Sequence, residues 1–193
     1  MKYNPEIHHR RSIRLKGYDY SQDGAYFVTI CTQNRECVFG DVKNNSRGTM
    51  LCALNEYGKI TWNELQKTSE IRKNMKINCC VVMPNHIHAI MVIENPMTDV
   101  GAYCNTPLQS GNTPLQTATK FQSPSNNLGS MIRGYKSTVT KQINELRKTP
   151  GETIWQRNYH EHIIRNEKSY EKIYHYILHN PEKWEEDKFY VEN

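Results

Sequence analysis

The chain has 193 residues, with 25 Lys and Arg against 20 Asp and Glu, a formal net charge of +5 and a mean hydropathy of −0.80. That length suits one domain with room for an insertion. No apolar run reaches the ~18 residues of a membrane-spanning helix, and the first residues lack the apolar core of a signal peptide. The six cysteines form no C-x-x-C pair and read as reduced thiols of a cytoplasmic protein without a membrane partner. The moderate positive charge is compatible with nucleic acid but does not select it.

Residues 1–19 read as a basic arm. Arg10, Arg11, Arg14 and Lys16 in HHRRSIRLK suit either a solvated tail or contacts to phosphates. AYFVTICTQ, residues 25–33, is rich in β-branched and aromatic residues and predicts a central strand. A short strand is expected at 49–54. Asn55 then caps a helix through about residue 68, with Ile60, Leu65 and Trp62 inward and Gly58 weakening its first turn. Two apolar runs, 77–83 and 86–94, flank the turn dipeptide Pro84-Asn85 and predict a strand pair.

Residues from about 95 to 127 carry NTPLQ at 105–109 and again at 112–116 amid Ser, Thr, Asn, Gln and Pro. Proline in each copy excludes a coiled coil, so this is a flexible insertion. Residues 126–147 give the clearest helix. Leu128, Met131, Ile132, Tyr135, Val139, Ile143 and Leu146 follow its period, while Arg133, Lys136, Lys141 and Arg147 lie off the stripe, either solvated or facing DNA. A further strand is expected over 153–165, where Arg157, Arg165 and Trp155 could touch phosphates or bases. The last helix spans about 167–180, with Tyr170, Ile173, Tyr174, Ile177 and Leu178 on one stripe. The domain is thus expected over 20–184, with 185–193 a C-terminal tail.

The chemistry concentrates in two places. His86 and His88 are two apart on a strand and so share a face. They could hold one divalent ion or be two surface histidines. His160 and His162 repeat the spacing, but Glu161 between them would have to face the core. On the last helix, Tyr176 and Asn180 are i and i+4 neighbours off the apolar stripe, whereas His175 and His179 project from the far side. The element order predicts an α+β fold, close to ferredoxin-like, with an antiparallel sheet and helices on one face.

MPNHIH at 83–88 resembles the histidine–hydrophobe–histidine motif of HUH single-strand endonucleases. YILHNP at 176–181 is similar to the Tyr-Ile-x-x-Asn-Pro motif of the REP-associated tyrosine transposases. RSIRLKGYDY, YFVTICT, RGYKSTVTKQIN and WQRNYHEHIIRN also look like that family. The resemblance covers most of residues 10–184 and leaves the NTPLQ insertion outside it. It implies the HUH endonuclease fold and a divalent ion, Mg or Mn, on His86, His88 and Asn180. It also implies Tyr176 as a nucleophile that cuts single-stranded or hairpin DNA through a 5′-phosphotyrosine, in a monomer or homodimer. Tyr135 is the second candidate nucleophile. The rival readings are a DNA-binding, repressor-like protein without catalysis, and a water-using metal phosphodiesterase, for which no Asp or Glu cluster is visible.

Overall fold

The computed structural model describes residues 15, 18–44, 49–95 and 126–191. Arg10, Arg11, Arg14, Lys16 and nearly all of the expected insertion lie outside the described residues. The order is β1 (Gly24–Cys31), β2 (Gly40–Asn44), β3 (Met50–Leu54), α1 (Glu56–Ile71), β4 (Met75–Val82), β5 (His86–Ile93), α2 (Leu128–Arg147), β6 (His160–Ile164) and α3 (Glu167–Leu178). Short 3-10 segments at Gln33–Arg35 and Pro181–Glu186 complete it.

Among the described residues, four strands form one antiparallel sheet in the order β4-β5-β1-β6, and β2-β3 form a separate hairpin. β1, α1 and β4 make a crossover with β5 inserted between the two strands, and α2 then leads to β6 at the far edge. This is the split βαβ arrangement of a ferredoxin-like α+β fold. The β2-β3 hairpin extends the expected order, because β2 reads as a polar segment.

Strand alternation sorts the sheet into two faces. Tyr26, Val28 and Ile30 of β1 and Ile87, Ala89, Met91 and Ile93 of β5 pack with Leu65 of α1 and Leu128, Met131, Ile132, Val139 and Ile143 of α2. Each of these α2 side chains is at most 1% exposed, and each contributes about 2 kcal/mol relative to an exposed position. On the opposite face, Phe27, Ile90, Val92 and Ile164 pack with Tyr170, Ile173, Tyr174 and Ile177 of α3. The helices therefore do not all lie on one face: the two crossover helices share one, and α3, which follows the last strand, covers the other. An apolar stripe defines which side of a helix is buried, but not which face of a sheet it meets.

Local signals hold with some shifts. Asn55, Asn127 and Asn166 each cap a helix by accepting from the backbone N–H three residues on. Trp62, Leu146 and Leu178 are exposed rather than inward. The strand expected over 153–165 is confined to β6; before it, Trp155 makes one isolated bridge to Thr32. Gly58 sits under the hairpin, where a Cβ would come within 2.2 Å of the Phe39 carbonyl oxygen. The residues expected as a C-terminal tail are part of the domain through Phe189. Phe189 is buried, and Arg35 donates to the Lys188 carbonyl.

Candidate active site

The β4-β5 turn closes where Met83 N–H donates to the His86 carbonyl, with Pro84 and Asn85 as its two central residues. β5 then begins on His86, so alternation sends His86 and His88 to the α3 face. Both are at most 1% exposed. Their rings lie 4.5 Å apart, at 67° to one another.

Each imidazole is oriented by a neighbour at Nδ1. Asn85 is fully buried, and its Nδ2 donates to the carbonyls of Arg35 and Phe189 at 3.1 and 2.7 Å. That fixes the amide, so its Oδ1 accepts from His86 Nδ1 at 2.9 Å and leaves Nε2 with a lone pair. Thr29, opposite His88 in the sheet, places Oγ1 2.8 Å from His88 Nδ1 and holds that ring in place. Hydrogen-bonded outer ring nitrogens of this kind orient histidines that bind metals.

α3 brings in the third element. The Tyr176 hydroxyl lies 3.2 Å from His88 Nε2 and 3.3 Å from Asp187 Oδ2, and the ring stands edge-on to Phe27 at 6.0 Å. Tyr176 is 40% exposed, so the site opens to solvent on its side. Asn180 is buried; its Nδ2 donates to Asp187 Oδ2 at 3.0 Å. Pro181 starts the 3-10 turn that returns the chain, and Asp187 and Phe189 then close over the histidines. The Phe189 ring is 4.7 Å from that of His86.

Two buried polar atoms here, His86 Nε2 and Asn180 Oδ1, have no hydrogen-bond partner among the described residues. Such atoms are costly unless something binds them. One ligand atom each from His86, His88 and Asp187 lies within 4.8 Å of the others. Two neutral imidazoles, a carboxylate and an amide oxygen form a donor set suited to a divalent cation, and the oxygens shift preference toward Mg and Mn.

The electrostatics agree with that donor set. Burial lowers the pKa of His86 to about 4, although the charge of Asp187 opposes the shift. Burial, and next the neighbouring His86, take His88 well below its ordinary value. Both imidazoles are therefore neutral, as ligands must be. Burial and then Asp187 push the Tyr176 phenol up to about 12.

The structure thus brings together His86, His88, Tyr176 and Asn180 from the sequence reading, and adds Asp187, Asn85 and Thr29. Asp187 stood in the expected tail, and Asn85 read only as a turn residue. His160 and His162 are exposed on the edge strand β6, and His175 on α3 and His179 just after its end are exposed. Tyr135 is buried on the other face and donates to the Thr61 carbonyl, which removes it as a nucleophile at this site. Of the expected DNA contacts, Arg133, Arg157 and Arg165 are exposed. Lys136 turns inward, toward the carbonyls of Gln156, Arg157 and Asn158. Among the described residues no helix is long and apolar enough to cross a membrane, and the five described cysteines are free.

No family model matches this sequence. It is 42% identical over 191 residues to an uncharacterized protein of Haemophilus influenzae, covering 99% of this chain and 98% of that one. A solved structure of a REP-associated tyrosine transposase bound to a REP hairpin superposes with a TM-score of 0.55 at 22% identity. The match covers 90% of this chain and 74% of the transposase. The chain therefore has the fold of that transposase.

Proposed function

We propose that this chain, which belongs to one family with the Haemophilus influenzae protein, is a metal-dependent single-strand DNA endonuclease and strand transferase, a transposase using Tyr176. The observation that carries this reading is the convergence of the Tyr176 hydroxyl, the Nε2 atoms of His86 and His88, the Asn180 amide oxygen and Asp187. The solved neighbour holds a REP hairpin; single-stranded or hairpin DNA is the substrate proposed here.

His86, His88, Asp187 and Asn180 would hold the ion, Mn or Mg. When bound it supplies charge neutralisation at the scissile phosphate and at Asp187. Tyr176 attacks phosphorus, forming a Tyr–O–P bond as the bond from phosphorus to the 3′ oxygen breaks. The phenolic proton leaves toward Asp187 Oδ2, and the 3′ oxygen takes a proton from solvent, to which the site opens, to become a free hydroxyl. The phosphotyrosine retains the phosphodiester energy, so another 3′-hydroxyl can reverse the step and join strands. Tyr176 is suited to this because it is partly exposed and hydrogen-bonded rather than packed. The protein would act in the cytoplasm, as a monomer or homodimer.

Asp187 also supplies the carboxylate that a water-using phosphodiesterase needs, so that reading gains an observation. Incubation with a labelled hairpin oligonucleotide and Mn separates the two. A slow, protease-sensitive band on a denaturing gel is expected. Free product with no adduct at any time would sink the tyrosine mechanism in favour of hydrolysis, and no cleavage at all would leave a DNA-binding, repressor-like protein.

A further inference from the structure

α3 carries a second pair of histidines, which the chemistry at β5 does not use. His175 and His179 are i and i+4 neighbours. Each is two residues from the fully buried Ile177, about 200° around the helix, and both are exposed. His179 caps the helix. Its backbone N–H and its ring Nδ1 both donate to the His175 carbonyl, at 3.0 and 2.8 Å. A carbonyl can only accept, so the neutral His179 ring carries its proton on Nδ1 and keeps a lone pair on Nε2. The two rings stand 6.0 Å apart, tilted by 32°.

That separation lets one ion bridge both rings. At a Zn–N distance of about 2.1 Å, two imidazoles sharing an ion through Nε2 have ring centres about 5–6 Å apart. The bond from Nδ1 to a carbonyl holds the His179 ring as metal-bound histidines are held. Glu171 is exposed one turn earlier on the same face and, with solvent, can add oxygen donors. Two imidazoles as the main donors suit Zn, Cu or Ni, unlike the oxygen-richer set of His86, His88, Asp187 and Asn180. Tyr176 directly follows His175, and Asn180 directly follows His179. An ion across the pair therefore closes the helical turn that carries both of those side chains.

We propose that His175 and His179 hold one Zn²⁺ ion, a second metal site that clamps the last turn of α3 from its solvent side. The site goes beyond the strand-transferase reading and does not depend on it. Zinc binding is measured by equilibrium dialysis of the full chain without an affinity tag. The parent should bind one more Zn²⁺ than the double variant His175→Gln with His179→Gln. That variant should melt like the parent, because both rings are exposed. Zn²⁺ at ten times its dissociation constant should slow hydrogen exchange of amides 176–179 about tenfold, since opening of the turn breaks the site. The variant His86→Gln with His88→Gln should show the same slowing, which separates this ion from one at β5.

An equal zinc count in the parent and the α3 double variant would overturn the proposal. A bound ion that leaves exchange of 176–179 unchanged would overturn it as well. Loss of the extra Zn²⁺ from His160→Ala with His162→Ala, and not from the α3 variant, would move the site to β6 and overturn it too. Should the β5 variant fail to fold, the difference in count between the parent and the α3 variant still decides. Adduct formation with hairpin DNA and Mn bears on Tyr176 alone and does not alter the zinc count, so either reading can fail without the other.

Discussion

The Tyr176 hydroxyl on α3 lies 3.2 Å from Nε2 of His88 on β5, across 88 residues of sequence. The contact exists because α3 packs on the histidine face of the sheet. Its apolar side rests on Phe27 and Ile164 while Tyr176 projects from the flank toward the histidines. A tyrosine on that flank keeps its hydroxyl at the histidines and in reach of solvent.

Tyr176→Phe should therefore fold like the parent, with a melting temperature within about 2 °C, since a partly exposed hydroxyl contributes little. It should still bind hairpin DNA. The covalent band should be absent, because phenylalanine has no oxygen to attack phosphorus. Tyr174→Phe, half-buried against the sheet, should keep the band. An undiminished band from Tyr176→Phe on a denaturing gel would move the nucleophile to another residue.

Metal binding should follow the orientation network. His86→Gln or His88→Gln should abolish Mn binding seen by calorimetry. Glutamine is preferable to alanine here, because both histidines are wholly buried and alanine would leave cavities. Asn85→Ala keeps every ligand residue but removes the bond that orients the His86 ring and the one that holds the Phe189 carbonyl, and affinity should fall about 10- to 100-fold. His160→Ala and His162→Ala should bind Mn as the parent does. Unchanged affinity in Asn85→Ala would mean that the Asn85–His86 bond has no orienting role.

The metal-free protein should lose stability on acidification. The folded state keeps His86 neutral down to about 4, whereas an unfolded chain takes up its proton near 6.5. The unfolded state thus binds more protons in that window, so stability falls as the pH drops through it. His86 alone accounts for about 3 kcal/mol between those values, and His88 acts in the same direction. Denaturant titrations in EDTA at several pH values measure the slope. A flat profile between pH 6.5 and 4 would contradict the buried, neutral state of this histidine.

Gly58→Ala should destabilise the protein despite alanine's better helix propensity. Propensity alone favours alanine by about 1 kcal/mol. The added Cβ would meet the Phe39 carbonyl oxygen at 2.2 Å and Leu54 at 3.1 Å, and overpacking of this kind costs about 1–3 kcal/mol. A net loss in chemical denaturation is expected, and a gain would show that the β2-β3 hairpin shifts readily.

The sequence by itself determined most of the elements and the placing of its two motifs within them. Period-two alternation put His86 and His88 on one face of β5, and the helical period set Tyr176 and Asn180 side by side off an apolar stripe. The order of strands and helices was enough for a ferredoxin-like sheet. These are properties of neighbours along the chain, fixed by backbone repeat. Tertiary structure alone decided which sheet face received α3, and hence that Tyr176 meets His88 while Tyr135 is buried on the opposite side. It alone returned Asp187 and Phe189 onto the histidines, joined Asn85 to Phe189 across 104 residues, and turned Lys136 inward. Those contacts depend on how buried surfaces fit together in three dimensions, and a polar segment such as EEDKFY carries no periodic signal that it will fold back.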